Sequence, residues 1–197
     1  MAVQPTIKDL NIVSITIPVS GDASLIMHKW SEKVKKEMRD KYMLKSVGTK
    51  DPLDPEKNYE EATYFFNDGK TLGFPAVAFK AAIVRVCKMS GIPMTDARQM
   101  FFVVPDEGEL VEIKGKRRMR EDMVKLNGKS ADLRYRPEIL DWRAKLTIRY
   151  NADLISEQQL VNLVNTAGFS CGVGEWRPER NGVNGTFSVV KGVSQSS

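Results

Sequence analysis

The sequence predicts an α+β protein, an antiparallel sheet with helices packed on one face. Segments of two-residue apolar periodicity outnumber those of helical periodicity, and the two kinds interleave along the chain. No internal repeat and no linker separates them. Residues 1–191 therefore read as one domain, followed by a Ser-rich tail at 192–197 that is expected to be disordered.

In chain order, Val13, Ile15, Ile17 and Val19 alternate with other residues and predict a first strand. Ile26, Trp30, Val34, Met38 and Tyr42 recur every fourth residue and predict an amphipathic helix after Gly21. The polar stretch 47–58 reads as a loop, and 61–68 as a short strand ending in the turn Asn67-Asp68-Gly69. A second helix follows over 74–91, with Pro75 at its start and Gly91 as its stop. Residues 100–105 and 110–115 read as strands of a hairpin around Asp106-Glu107-Gly108.

Residues 114–130 carry dense charge with little apolar periodicity and read as an exposed basic excursion. Two extended segments follow, 131–139 and 142–151. In the second, Ala144, Leu146 and Ile148 face one way while Arg143, Lys145, Thr147 and Arg149 face the other. Ser156 and Gln159 form a capping-box signature for a third helix that Gly168 is expected to stop. Residues 186–190 close the chain as a strand. Ferredoxin-like and RNA-recognition-like sheets lead among the topologies this order allows.

Composition narrows the chemistry. Thirty Lys and Arg against 25 Asp and Glu give a net charge of +5, which permits an acidic partner without requiring one. The start has no signal-peptide pattern and no stretch is apolar enough to span a bilayer, so a cytoplasmic location in a bacterial host cell is expected. Two isolated cysteines and one histidine argue against a disulfide framework, a metal centre or a Ser-His-Asp triad, and no cofactor is expected. Gly69-Lys70-Thr71 is no P-loop, because Tyr64 stands where the first glycine belongs. Gly172-Val173-Gly174 is no dinucleotide fingerprint, because Arg177 replaces the third glycine and a strand follows.

What remains points to a polyanion. Lys114, Lys116, Arg117, Arg118 and Arg120 place five cations in seven residues. Arg134, Arg136, Arg143 and Arg149 are interleaved with Tyr135, Trp142 and Tyr150, residue types that hold unstacked bases on a sheet. The stretch 171–187 combines Gly172, Gly174, Gly182 and Gly185 with Trp176, Arg177 and Arg180. Its glycines allow close backbone approach, its guanidinium forks suit phosphate, and Trp176 is either a core plug or a base platform. Solvated arginines and structural aromatics are the plain alternative for each group. His28 is a candidate general base, placed by the expected helix away from its apolar stripe.

Pro75, Ala76, Phe79, Lys80, Ala81, Ala82 and Arg85, together with Gly172, Gly174, Gly182, Gly185, Phe187 and Val189, give the chain a resemblance to the RAMP superfamily of CRISPR-associated proteins. It resembles the RNA-coating backbone subunits in particular, and the stretches from 136 to 190 also resemble uncharacterised phage and prophage proteins. The resemblance covers roughly residues 70–190, although "EWRPERN" replaces the usual run of small residues. It implies a modified ferredoxin-like fold, binding of single-stranded RNA or DNA, a protruding finger in 114–130, and head-to-tail homo-oligomers along the strand. His28 resembles the catalytic histidine of metal-independent RAMP endoribonucleases. A phage protein that engages a host complex, such as a CRISPR effector, is the remaining alternative.

Overall fold

The computed structural model describes residues 9–30, 32–43, 54–126 and 130–191. Along the chain these form β1 (Ile12–Gly21), β2 (Leu25–Ile26), α1 (Glu32–Tyr42), α2 (Pro55–Glu61), β3 (Gly73–Pro75), α3 (Ala76–Cys87), α4 (Met94–Met100) and β4 (Phe101–Val104). There follow β5 (Leu110–Glu112), β6 (Lys114–Leu126), β7 (Ser130–Asn151), α5 (Glu157–Ser170) and β8 (Phe187–Val189).

The central sheet runs β8–β1–β7–β4, every pair antiparallel. With α3 joining β1 to β4, and α5 joining β7 to β8, this is the ferredoxin-like strand order, and the α+β expectation holds. The covered face carries Ile17, Val19, Leu146 and Ile148, which pack with Phe79 and Ile83 of α3 and Leu160 and Val164 of α5. At the centre the rings of Phe79, Trp142 and Phe187 meet one another at centroid separations of 5.8–6.4 Å.

Strand β7 spans 22 residues and does two jobs. Its C-terminal half lies between β1 and β4; its N-terminal half pairs with β6 in a long ribbon whose root is flanked by β2. A bulge separates the halves, marked by the left-handed Asp141 (φ 49°) and a register shift between Lys114 and Lys116. The extra residue lets both Ile139 and Trp142 point into the core, although they are three apart. The two extended segments of the sequence are therefore one strand, and the basic excursion is the β6 arm of the ribbon. Residues 127–129, and the tail at 192–197, lie outside the described residues.

Several expectations are corrected. No helix begins after Gly21: Leu25 and Ile26 are claimed by the edge of β7 and are fully buried, and α1 starts only at Glu32. Trp30, Met38 and Tyr42 are exposed, while the Val34 side chain lies outside the described residues. His28 consequently lies in the connection between β2 and α1, not on a helix. Part of the expected loop at 47–58 is α2, capped by Asp54; the part from 47 to 53 lies outside the described residues. The expected strand at 61–68 reduces to one bridge, Phe65 with Leu72, around a turn held by Asp68. β4 and β5 are not a hairpin, since β4 pairs with β7 and β5 with β3. Helix α4 was not foreseen.

The Ser156–Gln159 capping box forms as expected, but Gly168 does not end α5. It lies inside the helix where β8 crosses, and a Cβ there would stand 1.9 Å from the Phe187 carbonyl oxygen. Helix propensity alone favours alanine over glycine by about 1 kcal/mol. Steric overlap should reverse that sign, so Gly168→Ala is expected to destabilise the fold by about 2 kcal/mol in chemical denaturation. A neutral or stabilising result would contradict the close crossing of α5 and β8.

Candidate nucleic-acid interface

The arginines of the ribbon are held by carboxylates. Cross-strand register puts Arg118, Arg120, Asp122 and Val124 of β6 on one ribbon face with Arg134, Arg136 and Glu138 of β7. On that face Arg118 Nε donates to Glu138 at 2.7 Å, Arg120 Nε to Asp122 at 2.8 Å, and Arg134 Nε to Asp132 at 3.3 Å. Arg136 is buried, with Nη1 3.4 Å from Asp122. Arg117, on the opposite face, is bidentate to Glu60 and lies over the rings of Tyr59 and Phe65.

The network continues into the glycine loop. Ser24 donates to Glu138 at 2.7 Å and accepts from Asn184 at 2.9 Å. Burial by itself raises the Glu138 pKa, but hydrogen bonds from Arg118 and Ser24 and the nearby guanidinium charges outweigh it, and the net shift is downward. Backbone bonds from Glu175 N to Ile26 O and from Gly185 N to Ser24 O lay the loop along the free edge of β2. Gly174 and Gly185 take left-handed backbone there, and a Cβ at Gly185 would meet the Val173 carbonyl at 1.7 Å.

Within the loop, Arg177 donates to Glu179 and to the Gly174 carbonyl, and Glu179 also binds Arg85 of α3. Arg180 is exposed and makes no ion pair among the described residues. Trp176 is 42% exposed and left-handed (φ 53°), so it is not the core plug. That role belongs to Trp142, which is fully buried with Nε1 donating to the Ala23 carbonyl at 2.8 Å. Trp142 and the buried Tyr150 therefore cannot serve as base platforms.

The uncovered face of the central sheet has a different character. Arg143, Lys145 and Arg149 are exposed there and make no ion pair among the described residues. Register builds the rows Ser20–Arg143–Lys114, Pro18–Lys145, Thr16–Thr147–Val104 and Ser14–Arg149–Phe102. Lys114 has one long contact, 3.6 Å to Glu112. Phe102 is half exposed at the β4 edge, with Lys80 Nζ 4.1 Å from its ring centroid. Lys116 is also exposed, next to the bulge.

His28 and Glu175 form a separate pair, Nδ1 to Oε1 at 3.7 Å, on a cleft of about 240 Å³ with Tyr64, Arg177 and Glu179. The His28 contact, set against burial, leaves the Glu175 pKa lowered. Cys87 and Cys171 are buried, and burial raises both thiols. No three His, Cys, Asp or Glu side chains among the described residues are grouped to hold a metal, and no described helix is long and apolar enough to cross a membrane.

The cations and the offsetting Asp122 are visible in the sequence, but Glu60 and Glu138 as their partners are not. Asp122 is two residues from Arg120 and shares its strand face, but Glu138 and Glu60 lie 20 and 57 residues from their arginines, with no local pattern linking them. Phe102 has no sequence signal of its own: Phe101–Val104 is apolar at every position, and only the folded sheet separates buried Phe101 and Val103 from exposed Phe102 and Val104.

No protein-family model matches the chain, and no curated protein does. Among solved structures, the chain is similar to the crystal structure of Cmr6 from Pyrococcus furiosus, at 10% identity and a TM-score of 0.46 over 92% of this chain and all of that one. It is also similar to a chain in the cryo-EM structure of the Type III-B Cmr-beta complex bound to cognate target RNA, at 9% identity and a TM-score of 0.42, over 89% of this chain and 59% of that one. Likeness at this level assigns neither family nor function.

Proposed function

We propose that this protein binds single-stranded nucleic acid, with RNA favoured over DNA, along the uncovered face of its central sheet. One observation carries the reading: Arg143, Lys145 and Arg149 of that face have no carboxylate partner among the described residues, whereas the ribbon arginines Arg117, Arg118, Arg120, Arg134 and Arg136 do. A guanidinium already bidentate to a carboxylate has its best donors committed; Arg143, Lys145 and Arg149 have theirs free for phosphate. Phe102 offers a ring to a base at the edge of the same surface, and the hydroxyls of Ser14, Thr16 and Thr147 can meet a ribose 2′-hydroxyl. The paired arginines of the ribbon hold its root in place.

The resemblance to RAMP proteins supports the same reading and extends it to head-to-tail assembly along a strand, in a phage or other mobile element. Labelled single-stranded RNA and DNA of about 30 nucleotides, titrated at low salt and followed by anisotropy, test it. Saturable binding that weakens as salt rises is expected, with RNA bound the tighter. No binding to either strand at low salt would sink it.

A second reading, metal-independent cleavage of RNA, is favoured by the His28–Glu175 pair on its cleft. It requires cleavage that persists in chelator and is lost in His28→Ala. Intact RNA after prolonged incubation excludes it.

A further inference from the structure

We infer that the cleft between the glycine loop and the ribbon is a binding site for a phosphorylated nucleoside, separate from the uncovered sheet face and independent of the strand-binding reading. The cleft, about 430 Å³, is lined by Val124, Arg136, Glu175, Trp176, Arg177 and Arg180. That volume falls within the roughly 300–1,000 Å³ usual for small-molecule sites.

The first observation is a buried donor without an acceptor. Arg136 is only 3% exposed, yet its Nε has no hydrogen-bond partner. Buried guanidinium nitrogens are costly to leave unsatisfied, and such an orphan marks a place where an acceptor belongs. Val124 and Arg136 share a ribbon face, so the side chain of Arg136 lies on the side from which the cleft opens. Its one hydrogen-bond acceptor among the described residues, Asp122, is at 3.4 Å, and the nearby Glu175 charge acts on it without a hydrogen bond.

The second observation is what converges on Arg136. Arg180 is exposed and uncommitted; Arg177 gives Nε and Nη2 to Glu179 and one Nη1 hydrogen to the Gly174 carbonyl, so it adds positive charge and its remaining Nη hydrogens. Three guanidinium groups around one cleft suit a phosphate monoester, which offers three acceptor oxygens and a charge of about −1.5 to −2. Trp176 supplies a flat surface for a base, and its left-handed backbone holds the indole partly exposed instead of folding it inward. Glu175 adds an acceptor suited to ribose hydroxyls or to a base N–H. Phosphate, sugar and base thus each find a complementary group.

The phosphate could belong to a free nucleotide or to the end of a strand. Binding should therefore be measured by calorimetry with 5′-AMP, adenosine and inorganic phosphate, and by competition with oligonucleotides carrying a phosphate at the 5′ end, the 3′ end or neither. Saturable binding of 5′-AMP points to free nucleotide, and a preference of at least fivefold for one phosphorylated end points to the strand terminus; either supports the site. Arg180→Ala and Trp176→Asn are exposed changes compatible with the local backbone, and each should weaken that binding at least fivefold while leaving the affinity for unphosphorylated oligonucleotide unchanged. The inference is overturned if neither 5′-AMP nor a terminal phosphate binds better than its unphosphorylated counterpart, or if both variants bind like the parent. Loss of strand binding in Arg143→Glu with 5′-AMP binding intact would separate this site from the sheet face.

Discussion

Asp122→Ala is expected to lower folding stability by about 3 kcal/mol, the largest effect of any single ribbon substitution. Asp122 is nearly buried and serves two guanidinium groups, Arg120 at 2.8 Å and the buried Arg136 at 3.4 Å. Removing it takes away the one hydrogen-bond acceptor of Arg136, which is too buried to hydrate and keeps only the nearby Glu175 charge, whereas Arg118 and Arg120 are exposed enough to recruit water. Pairing the change with Arg136→Met removes the stranded charge and should recover more than half of the loss. Urea denaturation of the single and double variants measures the coupling. Additive losses would mean that Arg136 does not depend on Asp122.

The same network sets an acid limit. Glu138, Glu175 and Glu179 all have pKa values lowered in the folded protein. Each therefore contributes stability that is fully present above the unfolded glutamate value, near 4.3, and is lost as pH falls through the lower folded values. Thermal unfolding followed from pH 7 to pH 3 should show the midpoint falling steeply below about pH 5. A flat midpoint over that interval would contradict the paired state of these carboxylates.

Arg143→Glu combined with Arg149→Glu is expected to weaken single-strand binding by about 100-fold at low salt, since it removes two phosphate partners and adds two repelling charges. Both side chains are exposed on the uncovered face, so the fold should be unaffected. Reversing Arg118, already held by Glu138, should cost stability instead of affinity. Equal losses of affinity at the two locations would move the interface onto the ribbon.

Much of the fold was legible wherever a segment satisfies its own pattern. The alternation from Arg143 to Tyr150, the α3 segment and the Ser156–Gln159 cap are local facts, and the structure keeps them. The failures occur where distant chain decides. The four-residue spacing from Ile26 onward reads as a helix, yet the unpaired edge of β7 at Glu138 and Ile139 captures Leu25 and Ile26, burying both faces of that short strand. Gly168 reads as a stop because its reason for being glycine is Phe187, 19 residues ahead. For the site, sequence shows where cations are but not which are neutralised. The row from Lys114 to Arg120 looks strongest in the sequence, while the uncovered face owes its character to the absence of acids in the neighbouring strands.

The salt dependence of single-strand affinity tests the central claim most directly. Plotted as log affinity against log salt for the parent, for Arg143→Ala with Arg149→Ala, and for Arg117→Ala with Arg118→Ala, the slope counts phosphates neutralised, at about 0.7 per contact for single strands. The account predicts that the sheet-face pair lowers the slope by about 1.4 while the ribbon pair leaves it unchanged. A slope that falls only in the ribbon pair would contradict it.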